Sequence, residues 1–244
     1  MLLKTRGIVL RKIKYGETSL ICTIFTEALG IQSYLVQGVR TTKTRGNKAG
    51  LLQPCTLLDI VAYQKEQTGL QRLKEFQPSY IYSGIQEDII KNSIALFSAE
   101  LLLKLLPEHA KMEDIFQFAY QYFCSIDKEV NNKIGNYPIY FVIQCSKLLG
   151  YDIHGNYSAQ TPYIDLKEGA FVSTPPAIPT TLNDLEIRLL SQLVEADTIA
   201  EATRIAMNAT QRFTLLDWYI EFLQAHTEHM RNIKSLAVLR AILH

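Results

Sequence analysis

Between Gly38 and Gly50 the sequence places Arg40, Lys43, Arg45 and Lys48, with no acidic residue among them. Four like charges so close repel one another unless the segment stays extended in water or meets an anion. Phosphate is the natural anion, because each Lys or Arg that neutralises one releases a counterion. Thr41, Thr42, Thr44 and Asn47 add donors suited to phosphate oxygens. Gly46 and Gly50 let the backbone bend or approach closely. The competing reading is a merely solvated loop. Lys4, Arg6, Arg11, Lys12 and Lys14 lie at the start of the same region, where adjacent strands can align them with the loop into a groove. Tyr15 and Tyr34 have the residue type for stacking on bases, and equally the type for a buried strand position.

Other chemistry is poorly represented. The chain has no G-x-x-x-x-G-K-[ST] loop, no G-x-G-x-x-G and no G-x-S-x-G. His226 and His229 form an H-x-x-H pair at helical spacing, but no third ligand accompanies them, and the C-terminal end of a helix favours His through its dipole. His109 and His154 have no catalytic neighbours in sequence. Cys22, Cys55, Cys124 and Cys145 form no C-x-x-C pair, which suits buried free thiols in a reducing compartment. An enzyme is not indicated, and neither a cofactor nor a metal is expected.

The elements that must position the cations change character near residue 80. The net charge of +1 over 244 residues is an average over two halves. Through Tyr80 there are 12 Lys/Arg and 5 Asp/Glu; from Ile81 there are 13 and 19. The first half should attract polyanions and the second should not. Short alternating runs around Ile8–Ile13, Leu20–Phe25, Ile31–Val36, Leu57–Tyr63 and Leu70–Phe76 predict five strands, separated by turn signals at 15–17, 27–30 and 67–69. Five short strands in so few residues suit a small, strongly bent sheet or barrel. Thereafter the period is helical, over 87–106, 112–126, 137–150, 183–195, 210–226 and 235–244. Asn183 and Glu186 predict a capping box. Residues 151–180 form an irregular insert with four of the eight prolines, and "YIDLKEGAFVS" within it predicts a hairpin turning at 167–169. The expected organisation is α+β, with a β-rich basic domain at 1–80 and an acidic all-helical domain at 81–244. No run of about eighteen apolar residues indicates a membrane helix, and "MLLKTRGIVLRK" lacks the apolar core of a signal peptide. A cytoplasmic location is expected.

"GETSLICTIFTEALG" (16–30), "GVR" (38–40) and "LLQP" (51–54) are followed by "SAELLLKLLP", "LLGY" (148–151), "YIDLKEGAF" and "KSLAVL" (234–239). These words in this order resemble the RecO family of bacterial recombination mediators, the first three its N-terminal domain. The resemblance spans essentially the whole chain. It implies an N-terminal five-stranded OB-fold barrel followed by a helical domain. It also implies binding to single- and double-stranded DNA, annealing of complementary strands, a complex with RecR, contact with the acidic C-terminal tail of single-stranded DNA-binding protein, and help in loading RecA. None of these requires bond chemistry.

Two departures bear on sites. Many members of the family carry two C-x-x-C pairs in the insert as a zinc site; residues 151–180 contain no cysteine, so no zinc is expected and Tyr151, Tyr157, Tyr163, Ile164 and Phe171 must hold the insert by packing. Some relatives have arginines at the start of the helix leading to "LGY", where this chain reads Asn136-Tyr137-Pro138-Ile139-Tyr140. A cation for the acidic tail must then come from elsewhere, with Arg204, Arg212 and Lys147 put forward ahead of Lys133 and Arg231. For DNA, Arg40, Lys43, Arg45 and Lys48 are the first expected phosphate contacts, and Arg6, Arg11 and Lys12 the second. The rival reading is a protein–protein adaptor whose basic loop meets an acidic protein.

Overall fold

The computed structural model describes residues 2–39, 48–63, 69–129, 131–227, 230 and 232–243. The chain divides into two compact units, one made of residues 1–88 and 99–128, the other of 89–98 and 129–244.

In the first unit the alternating runs form β1 (Leu2–Tyr15), β2 (Ser19–Thr26), β3 (Gly30–Val36), β4 (Leu57–Tyr63) and β5 (Leu70–Pro78). They close into a barrel in the order β1-β2-β3-β5-β4, antiparallel except where β3 meets β5. This five-stranded closed barrel is an OB-fold. Every second side chain turns inward, and Val9, Cys22, Ile24, Tyr34, Ile60 and Leu73 are among those that fill the barrel. A β-bulge between Val9 and Arg11 shifts the register of β1 against β2. Beyond it Arg11, Ile13 and Tyr15 share the outward face with Thr23, Ile21 and Ser19.

One flank of the barrel is covered by α2 (Glu113–Lys128), the helix that follows α1 (Ile89–Leu105). Phe116 meets Phe25 edge-on at 5.4 Å. The segment before α2 lies along the β2–β3 turn: His109 N–H donates to Ile31 O, and His109 Nδ1 lies 3.0 Å from Gln32 Oε1. Gly30 is required there. Its φ is +68°, and an added Cβ would lie 1.8 Å from Ala110 O. At the other end of α2 the buried Asp127 carboxylate accepts from the N–H groups of Ser83, Gly84 and Ile85, and from the hydroxyls of Ser83 and Tyr80. Burial pushes this carboxyl up, but those donors outweigh it and hold it below the usual range.

In the second unit α3 (Tyr137–Leu148) and α6 (Ala209–His226) form the principal helix pair. Both are apolar around much of their circumference, as a helix buried on most sides must be. Around them stand α4 (Asp184–Glu195), the short α5 (Ile199–Arg204) and α7 (Ser235–Ile242). The predicted box at Asn183 is present, and two further boxes, Thr198 with Glu201 and Asn208 with Gln211, start α5 and α6. The insert carries the expected hairpin as β6 (Tyr163–Asp165) and β7 (Ala170–Val172). Ile164 and Phe171 anchor it by burial, whereas Tyr163 is exposed and contributes little to the packing expected of it. Among the described residues no helix is long and apolar enough to cross a membrane.

Candidate nucleic-acid interface

The basic loop leaves β3 at Gly38 and re-enters the described chain at Lys48. Arg40, Lys43 and Arg45 lie outside the described residues. Lys48 is exposed at the turn before a 3-10 helix, Gly50–Leu52, and its carbonyl accepts from Leu51 N–H. Val39 and Leu52, described residues flanking that segment, are buried in the barrel core. Lys12 Nζ donates to Gln53 Oε1, next to Leu52 in sequence, at 2.5 Å.

Arg11 and Arg6 part company. Arg11 is exposed on the outward face beyond the bulge. Arg6 is bound to Glu27 through two hydrogen bonds, Nε to Oε2 at 2.9 Å and Nη2 to Oε1 at 2.7 Å. Its guanidinium also lies over the rings of Tyr120 (4.8 Å) and Phe116 (5.5 Å). Gln117 donates to the same carboxylate. The hydrogen bond to Glu27 leads the effects that raise the Arg6 pKa, and the reciprocal bond holds Glu27 below its ordinary value. Both line a groove of about 690 Å³ with Lys4, Asp59 and Glu75, a setting of mixed sign that does not favour phosphate.

The two tyrosines also separate. Tyr34 is fully buried in the barrel and offers no stacking surface, which corrects one of the two readings for it. Tyr15 is 53% exposed. The sequence reading missed Arg72, which the parallel β3–β5 pairing sets opposite Leu35. Its guanidinium donates to Gln37 Oε1 at the foot of the loop. No local signal reveals that position, because the pairing joins strands far apart in sequence.

In the second unit the three proposed tail cations stand apart in role. Lys147 Nζ donates to Val194 O in the last turn of α4, where a cation offsets the helix dipole. Arg204 is exposed at the end of α5, close enough to Glu201 to lower its pKa after the backbone hydrogen bonds at Thr198 and Asp197. Arg212 is half-buried and borders a cavity of about 480 Å³ with Lys133, Asn136, Asn208 and Gln211. Its Nε donates to Asn136 Oδ1 at 2.9 Å and its Nη2 to Met207 O at 2.7 Å. Both partners are neutral, and burial lowers its pKa. The guanidinium packs so closely on Gly135 that an added Cβ there would lie 2.8 Å from Cζ. Residues of the α3 N-terminus thus receive a cation from α6 instead of carrying one.

Among the described residues no group of three or more His, Cys, Asp or Glu is placed to hold a metal ion; His229 lies outside them, and His226 Nε2 lies 3.0 Å from Lys167 O in the insert hairpin.

Comparison with known proteins agrees with the barrel-then-helices order. The family model described as recombination protein O N terminal matches residues 1–82, and that described as recombination protein O C terminal matches residues 86–237. The DNA repair protein RecO of Flavobacterium psychrophilum is 30% identical over 99% of both chains. That of Flavobacterium johnsoniae is 29% identical and that of Bacteroides fragilis 31%, again over 99% of each chain. With both terminal models matched and full-length relatives aligned end to end, the chain belongs to the RecO family of DNA repair proteins.

Proposed function

We propose that this chain is a non-enzymatic recombination mediator. It binds single- and double-stranded DNA through the barrel, anneals complementary strands and, with RecR, helps load RecA onto DNA coated by single-stranded DNA-binding protein. The observation that carries the reading is a cation-rich, acid-free segment between Val39 and Leu52, two residues packed into the core of an OB-fold barrel. Arg40, Lys43, Arg45 and Lys48 contact phosphates first, and Lys12 and Arg11 second. Arg6 belongs to the fold through Glu27. Neutralising two strands at once lowers their mutual repulsion, and this favours annealing.

Salt dependence tests the reading. With about four to six phosphates neutralised on a single strand, log K against log salt should slope at about −3 to −4. Replacing Lys43, Arg45 and Lys48 by Ala should flatten that slope by about two units. An unchanged slope removes the loop from the interface. Absence of binding at physiological salt would favour the adaptor.

The acidic tail of single-stranded DNA-binding protein docks, in this reading, at Arg212. A half-buried guanidinium whose partners are both neutral gains most from an incoming carboxylate. Arg212→Lys keeps the charge but loses the two-pronged geometry. It should weaken an acidic tail peptide by about tenfold in fluorescence anisotropy, while Lys147→Ala and Arg204→Ala leave it within about twofold. Equal losses in all three would move the site away from the cavity.

A further inference from the structure

Two residue types just before α3 are not explained by the backbone they sit on. Gly135 and Asn136 end the 3-10 helix Asn131–Asn136 that leads into α3. Gly135 does not adopt a positive φ, so its backbone would accept an L side chain. Asn is a favoured N-cap residue, yet the Asn136 side chain makes no cap hydrogen bond to α3. It is buried instead, and its Nδ2 donates to Ala202 O at 2.8 Å and to Ile205 O at 2.9 Å, at the end of α5. With both amide N–H groups on carbonyls the orientation of the amide is fixed, and Oδ1 is left to accept from Arg212 Nε.

A side chain at position 135 would meet Arg212. An added Cβ would lie 2.8 Å from Cζ, 2.9 Å from Nε and 3.0 Å from Nη1. Three nearly equal distances place it over the flat face of the guanidinium, so the missing side chain makes room for that face. The Nε–Nη2 edge is already occupied, by Asn136 Oδ1 and Met207 O. Among the described residues Nη1 has no hydrogen-bond partner, and Nη2 keeps a second N–H. The side chain that carries them lines the cavity of about 480 Å³. We infer that Gly135 and Asn136 are positioning residues for the guanidinium that receives the acidic tail. Gly135 admits its flat face, Asn136 holds Nε, and Nη1 with the remaining N–H of Nη2 takes a carboxylate end-on. The inference rests on the reading that the tail docks at Arg212. It adds which edge of the cation meets the ligand and which neutral residues aim it.

The test is a double-mutant cycle on the full chain, read with an acidic tail peptide in fluorescence anisotropy. Gly135→Ala should weaken the peptide about tenfold, because the new methyl pushes the guanidinium out of line. Arg212→Lys should cost a similar factor alone. Lysine places no flat group over residue 135, so adding Gly135→Ala to Arg212→Lys should change affinity by less than about twofold. A residue that only shapes the fold would weaken the peptide by the same factor in both backgrounds. Should Gly135→Ala fail to fold, Asn136→Ala is read in the same cycle with the same expectations. Losses that multiply across the two substitutions overturn the positioning role. So does a Gly135→Ala protein that binds like the unmodified chain while Arg212→Lys weakens the peptide. An unmodified chain that ignores the peptide, or an Arg212→Lys protein with unchanged affinity, overturns the docking reading beneath.

Discussion

Arg6 and Arg11 stand on the same strand and both point away from the barrel interior, yet their surroundings differ. Around Arg6 the flank is closed: Glu27 takes the charge, Phe116 and Tyr120 cover the guanidinium, and Asp59 and Glu75 line the groove beside it. Around Arg11 the flank is open, with apolar and hydroxyl side chains and no carboxylate at the neighbouring outward positions. The bulge after Val9 lies between the two. A cation's contribution therefore depends on what the fold has already placed beside it. Spent on a carboxylate and two rings, it stabilises the unit; set among neutral residues, it remains available to a phosphate.

The strongest way to break the closed flank is Gly30→Ala. It forces a side chain into the left-handed region and against the Ala110 carbonyl. The expected cost is about 3–5 kcal/mol, read as a loss of folded protein or a large fall in Tm. A variant with unchanged Tm would show that the 107–111 segment does not pack on the turn. A smaller effect separates the two arginines themselves. Arg6→Ala should cost about 1–2 kcal/mol at neutral pH, since solvent screens a pair that is about a third exposed, and should leave the salt slope of DNA binding unchanged. Arg11→Ala should leave stability within about 0.5 kcal/mol and flatten the slope by about 0.7. The Arg6 deficit must also depend on pH with a definite sign. The Glu27 carboxyl is held below its ordinary value in the fold, so the pair's stabilisation is fully present above the unfolded glutamate pKa of about 4.3. It is lost as pH falls through the folded value, and denaturant titrations should show the gap to Arg6→Ala closing there. If the two arginines exchange these behaviours, the division of the barrel into closed and open flanks is wrong.

The strands, the long helices, the Asn183 box and the insert hairpin were legible because each is written in local periodicity or turn chemistry. The six-residue α5 was not, since it is too short to display a helical period. The candidate site was legible as composition and only partly as geometry. Arg6 and Arg11 look alike in sequence; their difference comes from Glu27 and from Gln117, about a hundred residues downstream. Tyr15 and Tyr34 differ in the same way, one at the end of a hairpin and the other turned into the barrel. Arg72 comes opposite Leu35 only through barrel closure, and Arg212 meets Asn136 across 76 positions of chain. Long-range pairing carries no local mark, so these were the positions the sequence reading missed or left undecided.

Because the barrel's unit resumes at Ala99 and ends at Lys128, it is not a continuous stretch of chain. During synthesis the five strands emerge well before the helix that covers Phe25 and Arg6. Until residue 128 has left the ribosome, the nascent barrel carries an uncovered aromatic flank, and the Asp127 carboxylate that ties down the N–H groups of Ser83, Gly84 and Ile85 has not yet arrived. Maturation of the N-terminal half is thereby timed by a segment translated after it.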